Sequence, residues 1–150
     1  MTCVREATPE DVPALLTLMR NLAAFEDYLD AFAVTEQSLH AHGFGSDRLF
    51  TAHVAVANEV LIGMAITYVI PWTYTMRPKL VLKELFVVSE ARGSGAGRHL
   101  MSAVASEARF RGCGQILWTV MTGNTAAEHF YRAQGGRPDD KWNNWVLDLN

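Results

Sequence analysis

Cysteine is scarce in this chain of 150 residues: the two present, Cys3 and Cys113, are too few for a disulfide framework and lack the second Cys or His pair that zinc ligation needs. That usage suits a reducing compartment, and the cytoplasm is the expected location. Long hydrophobic runs are missing as well. No stretch of about 18 apolar residues occurs, and the opening Met1-Thr2-Cys3-Val4-Arg5 has no apolar h-region, so neither a membrane span nor a secretory leader is expected. Positive charge is not in surplus, since 13 lysines and arginines face 16 aspartates and glutamates for a net charge of -3. Nothing is left over to neutralise a phosphate backbone, so nucleic acid is not an expected partner. His40, His42, His53, His99 and His129 show no paired metal-ligand spacing, and no metal is expected. No repeat, low-complexity tract or linker divides the chain, which reads as a single domain over residues 1–150.

What is present is a core. Hydrophobic residues make up 49% of the chain, enough for one domain that buries about two thirds of its unfolded surface. After a short strand at Cys3 to Arg5, Thr8-Pro9-Glu10-Asp11 supplies a capping threonine, a proline at N1 and an acid at N3, the signals of a helix start. Leu15, Leu18, Met19, Leu22 and Phe25 then recur at helical spacing, and a second capped start at Thr35 runs to Gly43-Phe44-Gly45. Leu49 to Ala57 and Val60 to Tyr68 are β-branched runs joined by Asn58-Glu59, which predicts a hairpin with a two-residue turn. Leu80 to Val88 is another strand. It is followed by a helix containing Leu100, Met101, Val104 and Ala108, a strand from Gln115 to Met121, a helix from Thr125 to Gln134, and a last strand from Trp145 to Leu149. This order predicts a mixed sheet with helices on its faces.

The most informative stretch joins strand to helix through Arg92-Gly93-Ser94-Gly95-Ala96-Gly97-Arg98. Glycine admits positive φ and close approach of a ligand, and the helix N-terminus contributes unpaired N–H groups and about half a positive charge. Together they make an anion site, with Arg92 and Arg98 flanking it. The spacing is not the G-x-G-x-x-G of a dinucleotide fold, and G-K-[ST] of a P-loop is missing.

Arg92-x-x-Gly95-x-Gly97 resembles the acyl-CoA signature of the GCN5-related N-acetyltransferase superfamily, and Asn124-Thr125-Ala126-Ala127-Glu128-His129-Phe130-Tyr131 with Gly135 resembles that superfamily's second signature. The order of elements matches along nearly the whole chain. The resemblance implies a mostly antiparallel central sheet with helices on both faces, acetyl-CoA as co-substrate, and a homodimer. It implies that Leu85, Phe86, Val87 and Val88 bond the pantetheine arm through their backbone, that residues Arg92 to Arg98 cradle the pyrophosphate, and that the strand at Gln115 splays away to leave a slot. Asn124, Ala127 and Tyr131 would meet the coenzyme from the last helix.

Several islands are similar to the diamine and thialysine (spermidine/spermine-type) branch: Leu22-Ala23-Ala24-Phe25-Glu26, Thr35-Glu36 through Gly45, Pro71-Trp72, and a terminal segment beginning at Trp145. The branch carries consecutive acids in the central strand, where this chain has Lys83 and then Glu84, and Ile70 stands in place of a further acid. A long polyamine would lose two partners, so a small mono- or diamine bound near Glu26, Trp72 and Glu84 is expected.

An alkyl ammonium of pKa near 10.4 must lose its proton before it attacks, at a cost of about 4 to 5 kcal/mol at pH 7. Glu84 is the candidate proton acceptor, directly or through water; a backbone N–H near Phe86 or Val87 is the candidate oxyanion donor, and Tyr131 the acid that protonates the departing thiolate. Because neighbouring strand residues face opposite sides, only one of Lys83 and Glu84 meets the acceptor. A protein- or peptide-acetylating enzyme of the same fold, and a non-catalytic acyl-CoA-binding module, are the alternatives.

Overall fold

In the computed structural model, which describes residues 1–149, the chain divides into two compact units, Met1–Thr119 and a second beginning at Val120. The first unit opens with strand β1 (Thr2–Glu6) and helix α1 (Val12–Phe25), entered through a 3-10 turn at Pro9–Asp11. Thr8 is extended ahead of Pro9, and the Asp11 carboxylate accepts the Thr8 N–H at 2.8 Å while Arg5 grips it from both guanidinium nitrogens at 2.6 and 3.0 Å. That grip, more than any other contact, holds the Asp11 carboxyl below its usual range. Of the periodic residues, Leu15, Leu18, Met19 and Leu22 are buried as their spacing predicts, together with Val12, whereas Phe25 in the last turn is 53% exposed. Helix α2 (Glu36–His42) is capped by Thr35, whose hydroxyl accepts the Ser38 N–H at 3.0 Å, and it ends at Gly43.

Strands β2 (Thr51–Ala57) and β3 (Val60–Ile70) form the expected hairpin. Asn58 and Glu59 both take positive φ, 50° and 64°, the type I′ geometry whose twist matches that of the flanking strands. Strand β4 (Lys79–Val87), helix α3 (Ala96–Phe110) and strand β5 (Gln115–Leu117) complete the unit. The sheet order is β1-β2-β3-β4-β5, antiparallel except for the last pair. Met64, Ile66, Val54 and Phe86 pack with the apolar stripe of α1 on one face. On the other face α3 packs its Leu100 against Gly63, where an added Cβ would meet the Phe86 carbonyl at 2.9 Å and Leu100 at 3.2 Å, and the Glu107 carboxylate bonds Thr67 at 2.7 Å and His53 at 3.1 Å. No helix among the described residues is long and apolar enough to cross a membrane.

The second unit holds helix α4 (Thr125–Ala133). Two expectations are corrected. The strand predicted over Gln115 to Met121 ends at Leu117. The last strand predicted over Trp145–Leu149 is not formed, and Trp145, Val146, Leu147 and Leu149 stand 92%, 83%, 85% and 87% exposed. β-propensity is expressed only where a neighbouring backbone can bond the strand, and this segment has no ladder partner among the described residues.

Candidate active site

The glycine turn is built as its composition requires. Gly93 and Gly95 sit at φ 80° and 91°, where any other residue would be strained. A Cβ at Gly93 would meet nothing within 4 Å, and at Gly95 the guanidinium of Arg98 lies 3.5 Å away, so the turn is open above its backbone. Gly95 caps α3, and of the amides in the helix's first turn that lack an acceptor one turn back, Ala96 reaches the Ser94 hydroxyl at 3.4 Å. The amides of Gly97 and Arg98 have no main-chain acceptor among the described residues. An anion fits here on donors, helix dipole and room together.

Beside the turn, β4 has an unpaired edge. Its ladder with β5 covers only Lys79–Val81 against Gln115–Leu117, and beyond Val81 no strand borders β4 on that side among the described residues. Val88 N–H bonds Ile62 on β3 at 2.9 Å, and backbone groups alternate along a strand, so Phe86 also points to β3 while Leu85 and Val87 point to the unpaired edge. Of the two expected amide donors, Val87 therefore faces the slot and Phe86 is engaged in the sheet. Arg92 donates from Nε to the Val87 carbonyl at 3.2 Å, and its guanidinium lies over the rings of Phe25 and Phe86 at 5.3 and 6.0 Å.

The position of Glu84 is set by a bulge. Glu84 pairs with Ile66 and Leu82 with Thr67, leaving Lys83 without a partner. One extra residue reverses the alternation. Glu84 thus shares the α1 face with Ile66, whereas an unbroken strand would have placed it with Leu82 on the α3 face. Lys83 is exposed, and Glu84 Oε2 is buried with no hydrogen-bond partner in the described structure. Burial, then the charge of Glu26, pushes the Glu84 carboxyl above its ordinary range, against the pull of Lys83 and the Tyr28 hydroxyl.

Tyr28 is the residue that sequence reasoning missed. It follows α1 through a left-handed Asp27 (φ 59°), with Tyr28 N–H bonding the Ala23 carbonyl at 2.9 Å and Asp27 N–H the Ala24 carbonyl at 3.4 Å, a Schellman reversal. The reversal turns Tyr28 back beside Glu84 and Glu26, and its phenol is pushed up to about 12 by burial first and then by those two carboxylates. No spacing rule could have flagged it; only the bare triplet of a carboxylate, a left-handed residue and a phenol at a helix end hints at it. Glu26, at the α1 C-cap, is half-buried. Trp72 lies apart from this group in its contacts: Lys79 Nζ sits 3.5 Å over its ring, Tyr74 meets it edge-on at 6.0 Å, and its Nε1 is buried without a partner in the described structure.

In the second unit Asn124 caps α4, its Oδ1 accepting the Ala127 N–H at 3.1 Å. That ties Asn124 and Ala127 together at the helix start. Tyr131 lies two turns on, half-buried, with its ring 5.3 Å from that of Phe130.

Comparison with known proteins adds identity to this geometry. The family model described as Acetyltransferase (GNAT) family matches residues 16–135. A thialysine N-epsilon-acetyltransferase of Sus scrofa is 30% identical over 150 residues, covering 95% of this chain and 88% of that protein. The spermidine/spermine N(1)-acetyltransferase-like protein 1 of Homo sapiens is 27% identical over 96% of this chain but only 22% of its own length. A solved aminoglycoside acetyltransferase from an uncultured soil metagenomic sample superposes with a TM-score of 0.83 over 99% of this chain and 97% of its own, at 17% identity, a likeness that bears on the fold alone. With the glycine turn, the unpaired β4 edge and a family match spanning most of its length, this chain belongs to the GNAT family and is an N-acetyltransferase.

Proposed function

We propose that the protein transfers the acetyl group of acetyl-CoA to a primary amine of a small molecule, a diamine or a thialysine-like compound, by direct attack in a ternary complex. The observation that carries this reading is Glu84: a buried, unpartnered carboxyl oxygen beside Glu26 and Tyr28 on the α1 face of β4. A carboxyl with raised proton affinity next to a second acid is suited to attract an ammonium and take its proton near neutral pH. The thialysine and spermidine/spermine names of relatives matching along nearly the whole chain support the same class of acceptor.

Acetyl-CoA supplies an activated acyl group as a thioester. Gly93 to Arg98 fit its diphosphate through main-chain donors, and the outward-facing groups of Leu85 and Val87 fit a pantetheine arm; Phe86 and Val88 complete that segment. The Val87 amide is the donor placed at the unpaired edge for negative charge developing on the acyl oxygen. Glu84 accepts the amine proton, Glu26 lines the acceptor side, and Lys83 disfavours polycations; Trp72, whose ring is covered by Lys79, is assigned to the acceptor only on its place in the branch's Pro-Trp pattern. Tyr131 is assigned as the acid for the thiolate, and Asn124 and Ala127 as coenzyme contacts, on their place in the second signature. The family match crosses both compact units, which supports reading residues 1–150 as one catalytic domain. We further infer a homodimer, and the free cysteines Cys3 and Cys113 fit a cytoplasmic setting.

A turnover assay with acetyl-CoA against diamines, thialysine, amino acids and lysine-bearing peptides tests the proposal. Acetylation of a small primary amine with efficiency well above that of any peptide is expected. Activity confined to peptides, or none with any amine, would refute it.

A further inference from the structure

We propose that Lys79 selects the acceptor: its ammonium, held over the Trp72 ring at the far end of the β4 face that carries Glu84, takes a carboxylate borne by the substrate at the end opposite its reacting amine. The proposal narrows the small-amine reading given above to amino acids with a distal amine, in preference to diamines, and it rests on that reading.

The register of β3 and β4 puts Lys79 on this face. Ile70 pairs with Lys79, Tyr68 with Val81, Ile66 with Glu84 and Met64 with Phe86. Alternation sends those four β3 residues to one side of the sheet, and the bulge at Lys83 keeps β4 in step with them. Helix α1 covers only one end of the face: Met64, Ile66 and Phe86 belong to the buried core it forms, whereas Tyr68, Ile70, Val81 and Glu84 are half-buried. A partly open floor therefore leads from Glu84 past Val81 and Tyr68 to Lys79. The β3 partners of Glu84 and Lys79, Ile66 and Ile70, lie four residues apart, about 13 Å of strand. An extended chain of roughly four to six carbons, with a contact of about 2.8 Å at each charged end, spans a gap of that order.

What stands at the far end is a cation without an anion. Lys79 is 9% exposed, its Nζ lies 3.5 Å over the Trp72 ring, and it forms no ion pair among the described residues. Trp72 Nε1 and Glu84 Oε2 are fully buried without a hydrogen-bond partner in the described structure; Lys79 Nζ, which also lacks one, is not fully buried, so the surface this residue keeps includes its ammonium. Withdrawing an ammonium from most of its water is costly unless something compensates. The indole face compensates in part and fixes where the charge sits. A substrate carboxylate reaching Nζ completes the pairing, and a second ammonium arriving there is repelled. Because Glu26 and Glu84 give the other end the opposite sign, an acceptor with an ammonium at one end and a carboxylate at the other binds in one direction, its amine towards Glu84.

The test compares substrates before it compares variants. Initial rates with acetyl-CoA are measured for thialysine and aminocaproate, for their primary amides, and for cadaverine. The wild type should acetylate the two carboxylates with kcat/KM roughly tenfold or more above the amides and cadaverine, the weight of one charge-assisted contact. In Lys79→Met, which keeps an apolar stem over Trp72, KM for the carboxylates should rise by that factor with kcat nearly unchanged, while the amides are unaffected. Lys79→Glu should turn the preference towards cadaverine. A wild type indifferent to loss of the carboxylate, or a Lys79→Met enzyme that loses the same factor with acid, amide and diamine, would overturn the role of Lys79 and leave the small-amine reading standing. The wild-type comparison needs no variant, so misfolding cannot mask it. No turnover with any of these amines would defeat the reading and this proposal together.

Discussion

Glu84 is under opposing demands: burial and the charge of Glu26 favour its protonated form, Lys83 and Tyr28 its ionised one. Burial raises its proton affinity, so ionising it is harder in the folded protein than in the unfolded chain. A group raised in this way contributes stability that is fully present below its unfolded value, near 4.3, and is lost as pH climbs through the raised folded value. Glu84→Gln is therefore expected to melt at higher temperature than the wild type at pH 8, with the gap closing as pH falls towards about 4, while its turnover drops; thermal melts at several pH values check the first and initial rates the second. Tyr131→Phe should lower turnover by at least about a hundredfold, the usual weight of a general acid, with acetyl-CoA affinity, read by calorimetry, nearly unchanged. The sequence singled out Glu84 and Tyr131 because they sit beside signatures that can be counted along the chain. Tyr28 was invisible because its meaning depends on a residue 56 positions away, brought close by a reversal and a bulge that no motif encodes.

At the scale of elements, α3 is tied to the sheet by polar contacts as well as by its apolar stripe. Its Glu107 is bonded by Thr67 and His53 and paired with Arg111 at 3.0 Å, and Arg111 reaches the buried Thr51 at 3.3 Å. Burial alone would raise the Glu107 carboxyl; the bonds from His53 and Thr67, with the charge of Arg111, outweigh it and hold the carboxyl below its ordinary range. Stability from this group is present above the unfolded value near 4.3 and is lost as pH falls through the depressed folded one. Glu107→Ala should cost about 3 to 5 kcal/mol in urea unfolding at pH 7, the penalty of breaking a buried charged network, and its stability should fall less on acidification than that of the wild type. Elements with local signals were legible: the capping threonines at 8 and 35, the I′ turn at Asn58-Glu59 and the glycines opening α3 each fix φ or satisfy a helix end within a few residues. The Trp145–Leu149 segment was misread because alternation and β-branching report a preference for extended backbone, whereas a strand also needs a neighbour to bond it.

For the whole molecule, that exposed segment bears on assembly. A run of four large apolar residues, each above four-fifths exposed, is more than a monomer ordinarily leaves in water. In line with the homodimer we infer, sedimentation should give a mass near twice 16.6 kDa, and Trp145→Asp should halve it; a wild-type monomer at every concentration would remove the dimer from the account. The sequence by itself determined the family, the glycine turn that opens α3 and most helices and strands, because these depend on short-range preferences: glycine at positive φ, side-chain caps, and the period of apolar residues. Only the tertiary structure decided which face of β4 carries Glu84, and that the ladder of β4 with β5 stops at Leu117 to leave Val87 at an unpaired edge. Those outcomes depend on register between strands distant in the chain, and a shift of one residue in that register exchanges the two faces of a sheet while leaving every local preference satisfied.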